Sequence, residues 1–361
     1  MKKRIIISVT SDLVTDQRVL KVANSCYQNG FELLLVGRQL RNSLSLKLPF
    51  PYLRMRLLCN KSAFFYAEYN IRLFFLLLFS RFDILLSNDT DTLPANYFVS
   101  KIRKKKLLFD AHELFPEVPE LTDRPRIKRI WESIEDRIFP KLKYSYTVCH
   151  SIADYYYNKY GISMKVIRNV PYYRFSKKSL LEEIYSNKKV IIYQGYLNIG
   201  RGLEWVIDAM PFIDNAVLII IGCGDIEQDL RNKVQSMQLE DKVLFKGKME
   251  PDKLHEYTPL ADVGLCLLEN KGLSYYFSLP NRIFDYIQAG VPVLATRFPE
   301  IENIVETYNS GVLIDHYEPE YLAATIKNMF DKTIDKEAFR AAAKELCWEN
   351  EEKILLDLLN E

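Results

Sequence analysis

Short continuous apolar runs alternate along this chain with stretches in which apolar residues recur every three or four positions. The runs at Arg4–Val9, Phe31–Gly37, Phe82–Ser87, Lys106–Asp110, Ser145–Cys149 and Lys165–Arg168 read as strands. The helical pattern fills Gln17–Gln28, Leu93–Ile102 and Ile152–Lys159. A polar, Ser/Lys/Tyr-rich stretch at 171–187 then reads as a linker, and the alternation restarts. Strands at Lys188–Gln194, Ala216–Gly222, Val243–Gly247 and Val263–Leu268 enclose helices at Leu203–Met210, Ile226–Met237 and Pro251–Leu260. The AVLIII run at 216–221 lacks any polar alternation. Strands of that kind are buried on both faces, in parallel sheets covered by helices.

The pattern predicts an α/β chain of two doubly wound, Rossmann-like domains, residues 1–172 and 186–345, with a cleft between them. Ligands of such sheets bind at the carboxyl ends of the strands. The tail at 346–361 carries an apolar stripe of Trp348, Ile354, Leu355, Leu358 and Leu359. It is predicted to be a helix that crosses back, with Trp348 as its anchor on the first domain.

Composition narrows the class. A chain of 361 residues, 48% hydrophobic, can bury two cores. A net charge of +2 gives no global pull toward polyanions, so nucleic acid is not an expected partner. The six cysteines show no metal-ligand spacing and read as reduced, buried thiols of a cytosolic protein. The first apolar run is too short for a signal peptide. The longest, Leu73–Phe79, falls well short of the roughly 18 residues a membrane span needs.

The segment SLPNRIFDYIQAGVPVLAT, 278–296, is the richest in chemistry. It reads as a loop, a helix and a buried strand. Ser278 and Pro280 suit the helix start, and Gly290 followed by Pro292 suits its end. A helix N-terminus at a sheet rim attracts an anion. Leu279, Pro280 and Asn281 lie at that end, Arg282 is in the first turn, and Asp285 lies one turn from Asn281 on the same face. A nucleotide diphosphate with its ribose needs such a set. The loop Gly195-Tyr196-Leu-Asn-Ile-Gly200-Arg201-Gly202 opens another helix, and Arg201 can reach the same anion as Arg282. Two arginines can hold a diphosphate without a metal. Gly222-Cys-Gly224-Asp225 is a second glycine turn, which also serves as an ordinary tight turn. It lacks the full dinucleotide fingerprint, which makes a dehydrogenase improbable.

In the first half, Asp110-Ala-His112-Glu113 leaves a strand end. His112 is a candidate substrate contact with Asp110 or Glu113 orienting its ring, or else a satisfied structural histidine. His150 is a second candidate of the same ambiguity. Asp89-Thr-Asp91 has metal-binding spacing, but Asp91 or Thr92 serves equally to cap a helix near Leu93. The basic stretches 101–106 and 124–129 read either as solvated faces or as attachment to an anionic membrane.

These residues resemble glycosyltransferase family 4, whose GT-B fold pairs two facing Rossmann-like domains. The 278–296 segment is similar to that family's donor site, with Asp285 where a Glu is usual and Phe277 where a second Glu often stands. GYLNIGRG is similar to its G-R-L-x-x-x-K-G, with Arg201 in the Lys position and Tyr196 in the Arg position. DAHELFPE, GCGD and the opening TDQRVLKVANSCYQNGFELLLVGR, with Asp16 and Arg18, are also similar to bacterial members.

The resemblance implies retaining, metal-independent transfer from a UDP- or GDP-sugar to a glycan or lipid-linked acceptor of bacterial surface polysaccharide. It needs no cofactor beyond the nucleotide sugar as co-substrate. His112, Arg201 and Arg282 would be catalytic. Gly195, Tyr196, Gly200, Gly222, Gly224, Leu279, Pro280, Asn281 and Asp285 would face the donor, and Asp16, Arg18, Glu113 and His150 the acceptor or sugar. The enzyme would be cytoplasmic, peripheral at the inner membrane face. A nucleotide-sugar epimerase of the same fold and a non-catalytic GT-B partner subunit are the alternatives.

Overall fold

The computed structural model describes the chain except residues 1, 15, 42, 61, 119–120, 122–123 and 176–186, and the side chains of 251–252. Most of the expected linker at 171–187 therefore lies outside the described residues. The chain divides into two compact units, one of residues 1–169 with 351–361, the other of residues 170–350.

The first unit holds seven parallel strands: β1 (Arg4–Asp12), β2 (Glu32–Arg38), β3 (Tyr52–Met55), β4 (Ile84–Asn88), β5 (Lys106–Ala111), β6 (Tyr144–Thr147) and β7 (Lys165–Val166). They lie in the order β3-β2-β1-β4-β5-β6-β7. The order reverses direction at β1, so the topological switch point lies between β1 and β4. The helices are α1 (Gln17–Gln28), α2 (Ser62–Phe79), α3 (Asp89–Arg103), α4 (Pro125–Ile138) and α5 (His150–Tyr160). Strand β1 places Ile5, Ile6 and Ile7 fully out of solvent. Burial of each such side chain contributes about 1.5–3 kcal/mol.

Two elements here escape the apolar pattern. Helix α2 and strand β3 fill a stretch that gave no clear period. Helix α3 also begins at Asp89, earlier than Leu93, and neither Asp91 nor Thr92 caps it. Instead Thr92 Oγ1 donates to the Asn88 carbonyl at 2.8 Å. Pro94 sits inside α3, where it has no N–H to give. Asn70 of α2 offsets the disruption: its amide donates to the Asp91 carbonyl at 2.7 Å and its oxygen accepts from Ala95 N at 3.2 Å.

The second unit holds six parallel strands: β8 (Lys189–Gln194), β9 (Ala216–Ile221), β10 (Val243–Gly247), β11 (Val263–Cys266), β12 (Val293–Thr296) and β13 (Gly311–Ile314). Their order is β10-β9-β8-β11-β12-β13, with the switch point between β8 and β11. Helices α6 (Leu203–Ala209), α7 (Glu227–Ser236), α8 (Pro251–Tyr257), α9 (Leu273–Tyr276), α10 (Arg282–Ala289), α11 (Pro299–Thr307), α12 (Pro319–Phe330) and α13 (Lys336–Glu345) complete it. The core joins Tyr193, Leu218, Ile220, Leu265, Leu294 and Ile326.

The last helix, α14 (Trp348–Asn360), begins in the second unit and ends in the first. Trp348 is fully buried and its N–H donates to the Pro171 carbonyl at 2.8 Å, within the second unit. The anchor on the first unit lies further along. Glu351 accepts from Arg168 N and Nε at 3.0 and 2.7 Å, and the Leu358 carbonyl accepts from Lys106 Nζ. All six cysteines are free thiols.

Candidate functional site

In the second unit, three strand-end turns meet at the switch point. The turn after β8 requires glycine: φ is +141° at Gly195, +81° at Gly200 and +69° at Gly202. The turn after β9 leans on it. A Cβ on Gly222, whose φ is +144°, would lie 1.8 Å from the Gly195 carbonyl oxygen, and one on Gly224 would lie 2.3 Å from that of Leu197. Backbone bonds lock the two turns, Gly195 N to Ile221 O at 3.0 Å and Leu197 N to Cys223 O at 3.0 Å. The turn after β11 joins through Glu269 N to Gly200 O at 2.9 Å. The glycines thus fit one turn against another.

The helix start in 278–296 differs from the expected cap. Ser278 Oγ donates to the Tyr275 carbonyl at 2.8 Å, and α10 begins after Asn281. Short helix α9 and the half-buried Leu279 and Pro280 lead into it. At the far end Gly290, with φ +67°, closes α10 as expected. Asn281 is exposed at the helix start and its carbonyl accepts from Asp285 N at 3.2 Å.

Arg282 is only 8% exposed. Its guanidinium carbon stands 4.3 Å from the centre of the Tyr193 ring, and Nη1 is buried with no hydrogen-bond partner. Burial opposes its charge, but Tyr193, Cys266 and Tyr286 outweigh that and hold its pKa above the ordinary value. Arg201 lies over the Tyr275 ring at 4.8 Å, and its Nε is likewise buried and unpartnered. Both guanidiniums act on Cys266 at the end of β11, whose thiol burial pushes up to about 11 against their pull. The two arginines, from separate turns, both lie near the Cys266 end of β11. A guanidinium nitrogen buried without a hydrogen bond costs free energy that an anionic ligand would return.

Asp285 accepts from Gln194 Nε2 at 2.9 Å, and Gln194 Oε1 accepts from Thr258 at 2.9 Å. Sequence reading missed Gln194; its signal is a polar residue closing an otherwise apolar strand. Tyr196 is exposed, and its carbonyl accepts from the Tyr193 hydroxyl at 2.7 Å. Phe277 packs on Tyr276, their ring centres 5.4 Å apart.

In the first unit, Asp16, Arg18, Asp110 and His112 gather at the ends of β1 and β5 and are engaged with one another or with the backbone, while His150 follows β6. Arg18 is buried and forms a two-pronged pair with Asp110 at 2.8 and 3.1 Å, and it donates to the Ile167 carbonyl at 3.1 Å. Asp16 caps α1, accepting from Val19 N at 3.1 Å and Ser11 Oγ at 2.7 Å. His112 lies between two carboxylates, Asp89 at 3.1 Å from Nδ1 and Asp110 at 3.0 Å from Nε2. Asp89, not Glu113, is the second partner, and Glu113 and His150 are exposed.

Burial disfavours the charged ring, yet Asp89 and Asp110 hold the His112 pKa well above its ordinary value. Burial likewise opposes the Asp110 charge, but Arg18 and His112 keep it below the usual carboxylate range. Asp91 goes the other way: burial, then neighbouring Asp89, raises it to about 8. Asp91 accepts from Thr10 and makes no metal cluster with Asp89 among the described residues.

Comparison with solved structures defines the class first. Sucrose-phosphate synthase from Thermosynechococcus elongatus superposes over 99% of this chain and 98% of its own, with TM-score 0.79 at 15% identity. Anabaena HepE, solved with UDP and glucose, covers 99% of each chain with TM-score 0.75 at 17% identity. The fold is the GT-B fold of glycosyltransferases. Residues 177–346, most of the second unit, match the family described as Glycosyl transferases group 1.

An uncharacterized glycosyltransferase of Methanocaldococcus jannaschii is 25% identical over 46% of this chain and 43% of its own. Alpha-monoglucosyldiacylglycerol synthase of Streptococcus pneumoniae is 28% identical over 38% of this chain and 30% of its own. The chain spans less than half the length of these relatives.

Proposed function

We propose that the chain transfers a sugar from a UDP- or GDP-sugar to a hydroxyl of a glycan or lipid-linked acceptor, with retention and without a metal ion. The observation that carries this reading is Arg282: a buried guanidinium with an unpartnered Nη1 at a strand-end switch point. Arg201 and the start of α10 add positive potential at the same place. Similar structures support it, with UDP and glucose on HepE and UDP-2-fluoro glucose on an Escherichia coli protein. A Mycobacterium tuberculosis relative is named as GDP-mannose-dependent, so both bases stay in the proposal.

In this reading Asn281 and Gly195 bring backbone close to the diphosphate, Gly222 supports the Gly195 turn, and Asp285, oriented by Gln194, accepts from ribose hydroxyls. The acceptor oxygen bonds to the anomeric carbon as the bond to the diphosphate breaks. The acceptor proton passes to the departing phosphate oxygen. Arg201 and Arg282 offset the charge that collects there. His112, held between Asp89 and Asp110, positions the acceptor side through that network. It is not a base, because both nitrogens face carboxylates. The first unit takes the acceptor, and the enzyme works in the cytoplasm at the inner membrane face, in bacterial polysaccharide synthesis.

Calorimetry with UDP and GDP, followed by mass-shifted sugar transfer to an acceptor, tests this. Binding of one nucleoside diphosphate and a labelled acceptor are expected. Absence of binding to both nucleotides would overturn it, and a labelled free sugar nucleotide in place of a labelled acceptor would indicate epimerisation.

A further inference from the structure

Helix α2 has an outer face whose large apolar side chains stay exposed. Its inner residues Phe65, Tyr69, Leu73 and Leu77 are packed, and the Tyr69 hydroxyl donates to the Val9 carbonyl at 2.6 Å. Its outer residues Phe64, Ile71, Phe75 and Phe79 are 73%, 59%, 53% and 81% exposed. At 100° per residue these four fall within one strip of the helix. A solvated helix normally carries charged residues there. The strip carries Glu68 and, at its edge, Arg72; the two pair at 2.6 Å, Glu68 accepts from Leu58 N and Cys59 N, and Arg72 donates to the Arg56 carbonyl, so neither charge is left free on the face.

Neighbouring α3 extends the patch. Phe98 and Ile102, one turn apart, are 55% and 58% exposed. Arg103 donates to the Leu78 carbonyl, which ties the end of α3 to the end of α2. That junction brings exposed Arg81, Lys101, Arg103 and Lys104 beside Phe79 and Ile102. None of these four forms an ion pair among the described residues, whereas Lys105 pairs with Asp83 at 2.9 Å. Apolar side chains edged by unpaired cations suit the boundary of an anionic bilayer, where rings enter the acyl region and cations meet lipid phosphates.

We propose that the outer face of α2, with the end of α3, docks in plane on an anionic phospholipid bilayer. This deepens the membrane placement in the reading above by assigning the surface. Helix α2 is long and apolar enough by length and composition to cross a membrane, contrary to the expectation drawn from its shorter apolar run. Its packed inner face instead commits it to the unit, so it lies on the bilayer. A second copy of the chain is a poorer cover, because a two-fold contact would set the same cations against each other.

Flotation with vesicles of phosphatidylcholine alone or mixed with 30% phosphatidylglycerol tests the proposal. The full chain is expected to float with the mixed vesicles and to release as salt rises. Phe75→Ser with Phe79→Ser is expected to cut partition at least tenfold. Lys101→Glu with Lys104→Glu should abolish the preference for phosphatidylglycerol. Nucleotide binding by calorimetry should stay unchanged in both variants, which separates this proposal from the donor site. Three outcomes would overturn it: no flotation of the unaltered chain, equal flotation of the variants, or a dimer in sedimentation that Phe75→Ser with Phe79→Ser dissociates.

Discussion

The two switch points handle charge in opposite ways. At the first, between β1 and β4, Arg18, Asp110, His112 and Asp89 answer one another within about one hydrogen-bond length. At the second, between β8 and β11, Arg282 and Arg201 carry charge that leaves Nη1 and Nε unanswered. The contrast teaches where to look for a ligand. A network that neutralises itself holds structure, while guanidinium nitrogens buried without a hydrogen bond point to something not in the chain.

The contrast breaks most visibly at Asp110. Asp110→Ala leaves Arg18 buried without its partner, a loss on the order of 3–5 kcal/mol in stability, readable by denaturant titration. The sign of its pH dependence follows from its lowered pKa. The contribution is present above the ordinary aspartate value and is lost as pH falls through the folded value. An Asp110→Ala variant as stable as the parent would mean that the first cluster is not structural.

At the other switch point, Arg201→Ala is expected to leave folding intact and to weaken UDP or GDP binding about tenfold to a hundredfold, since hydrogen bonds to charged groups contribute roughly 1.5–3 kcal/mol. A stability loss with unchanged nucleotide affinity would move Arg201 into the structural class.

Asp91 sharpens the comparison through pH. Its folded pKa of about 8 lies above its ordinary 3.8, so the fold prefers the protonated form. That preference is complete below the ordinary value and is lost as pH rises through about 8. Asp91→Asn, which keeps a neutral group there, should therefore gain more stability at pH 8.5 than at pH 5, by thermal melts. An equal effect at both would contradict the raised pKa. The smallest effect is at Asp16, where loss of the helix cap in Asp16→Ala should cost about 1 kcal/mol and leave transfer unchanged. A selective fall in acceptor use with full stability would instead return Asp16 to the substrate.

Much of this was legible in the chain. Period and run length located α1 at Gln17–Gln28 and β10 at Val243–Gly247 to the residue. Glycines marked the turns because four of them, Gly195, Gly200, Gly202 and Gly222, take positive φ. Helix α2 stayed hidden because apolar residues on both its inner and outer faces erase the 3.6-residue period. The pairing of His112 with Asp89 was also out of reach. It joins the ends of two strands, and only the sheet order makes them neighbours. Arg282 was found as an arginine near an anion site, but its burial over Tyr193 depends on β8 lying beside β11, which no local pattern states.

The central claim is that Arg282 is held unpaired for a diphosphate. Calorimetric titration of the chain and of Arg282→Ala with UDP, GDP, uridine and guanosine tests it most directly. The account predicts that the substitution weakens diphosphate binding at least tenfold while nucleoside binding barely changes. Equal loss for nucleotide and nucleoside, or no loss for either, would contradict it.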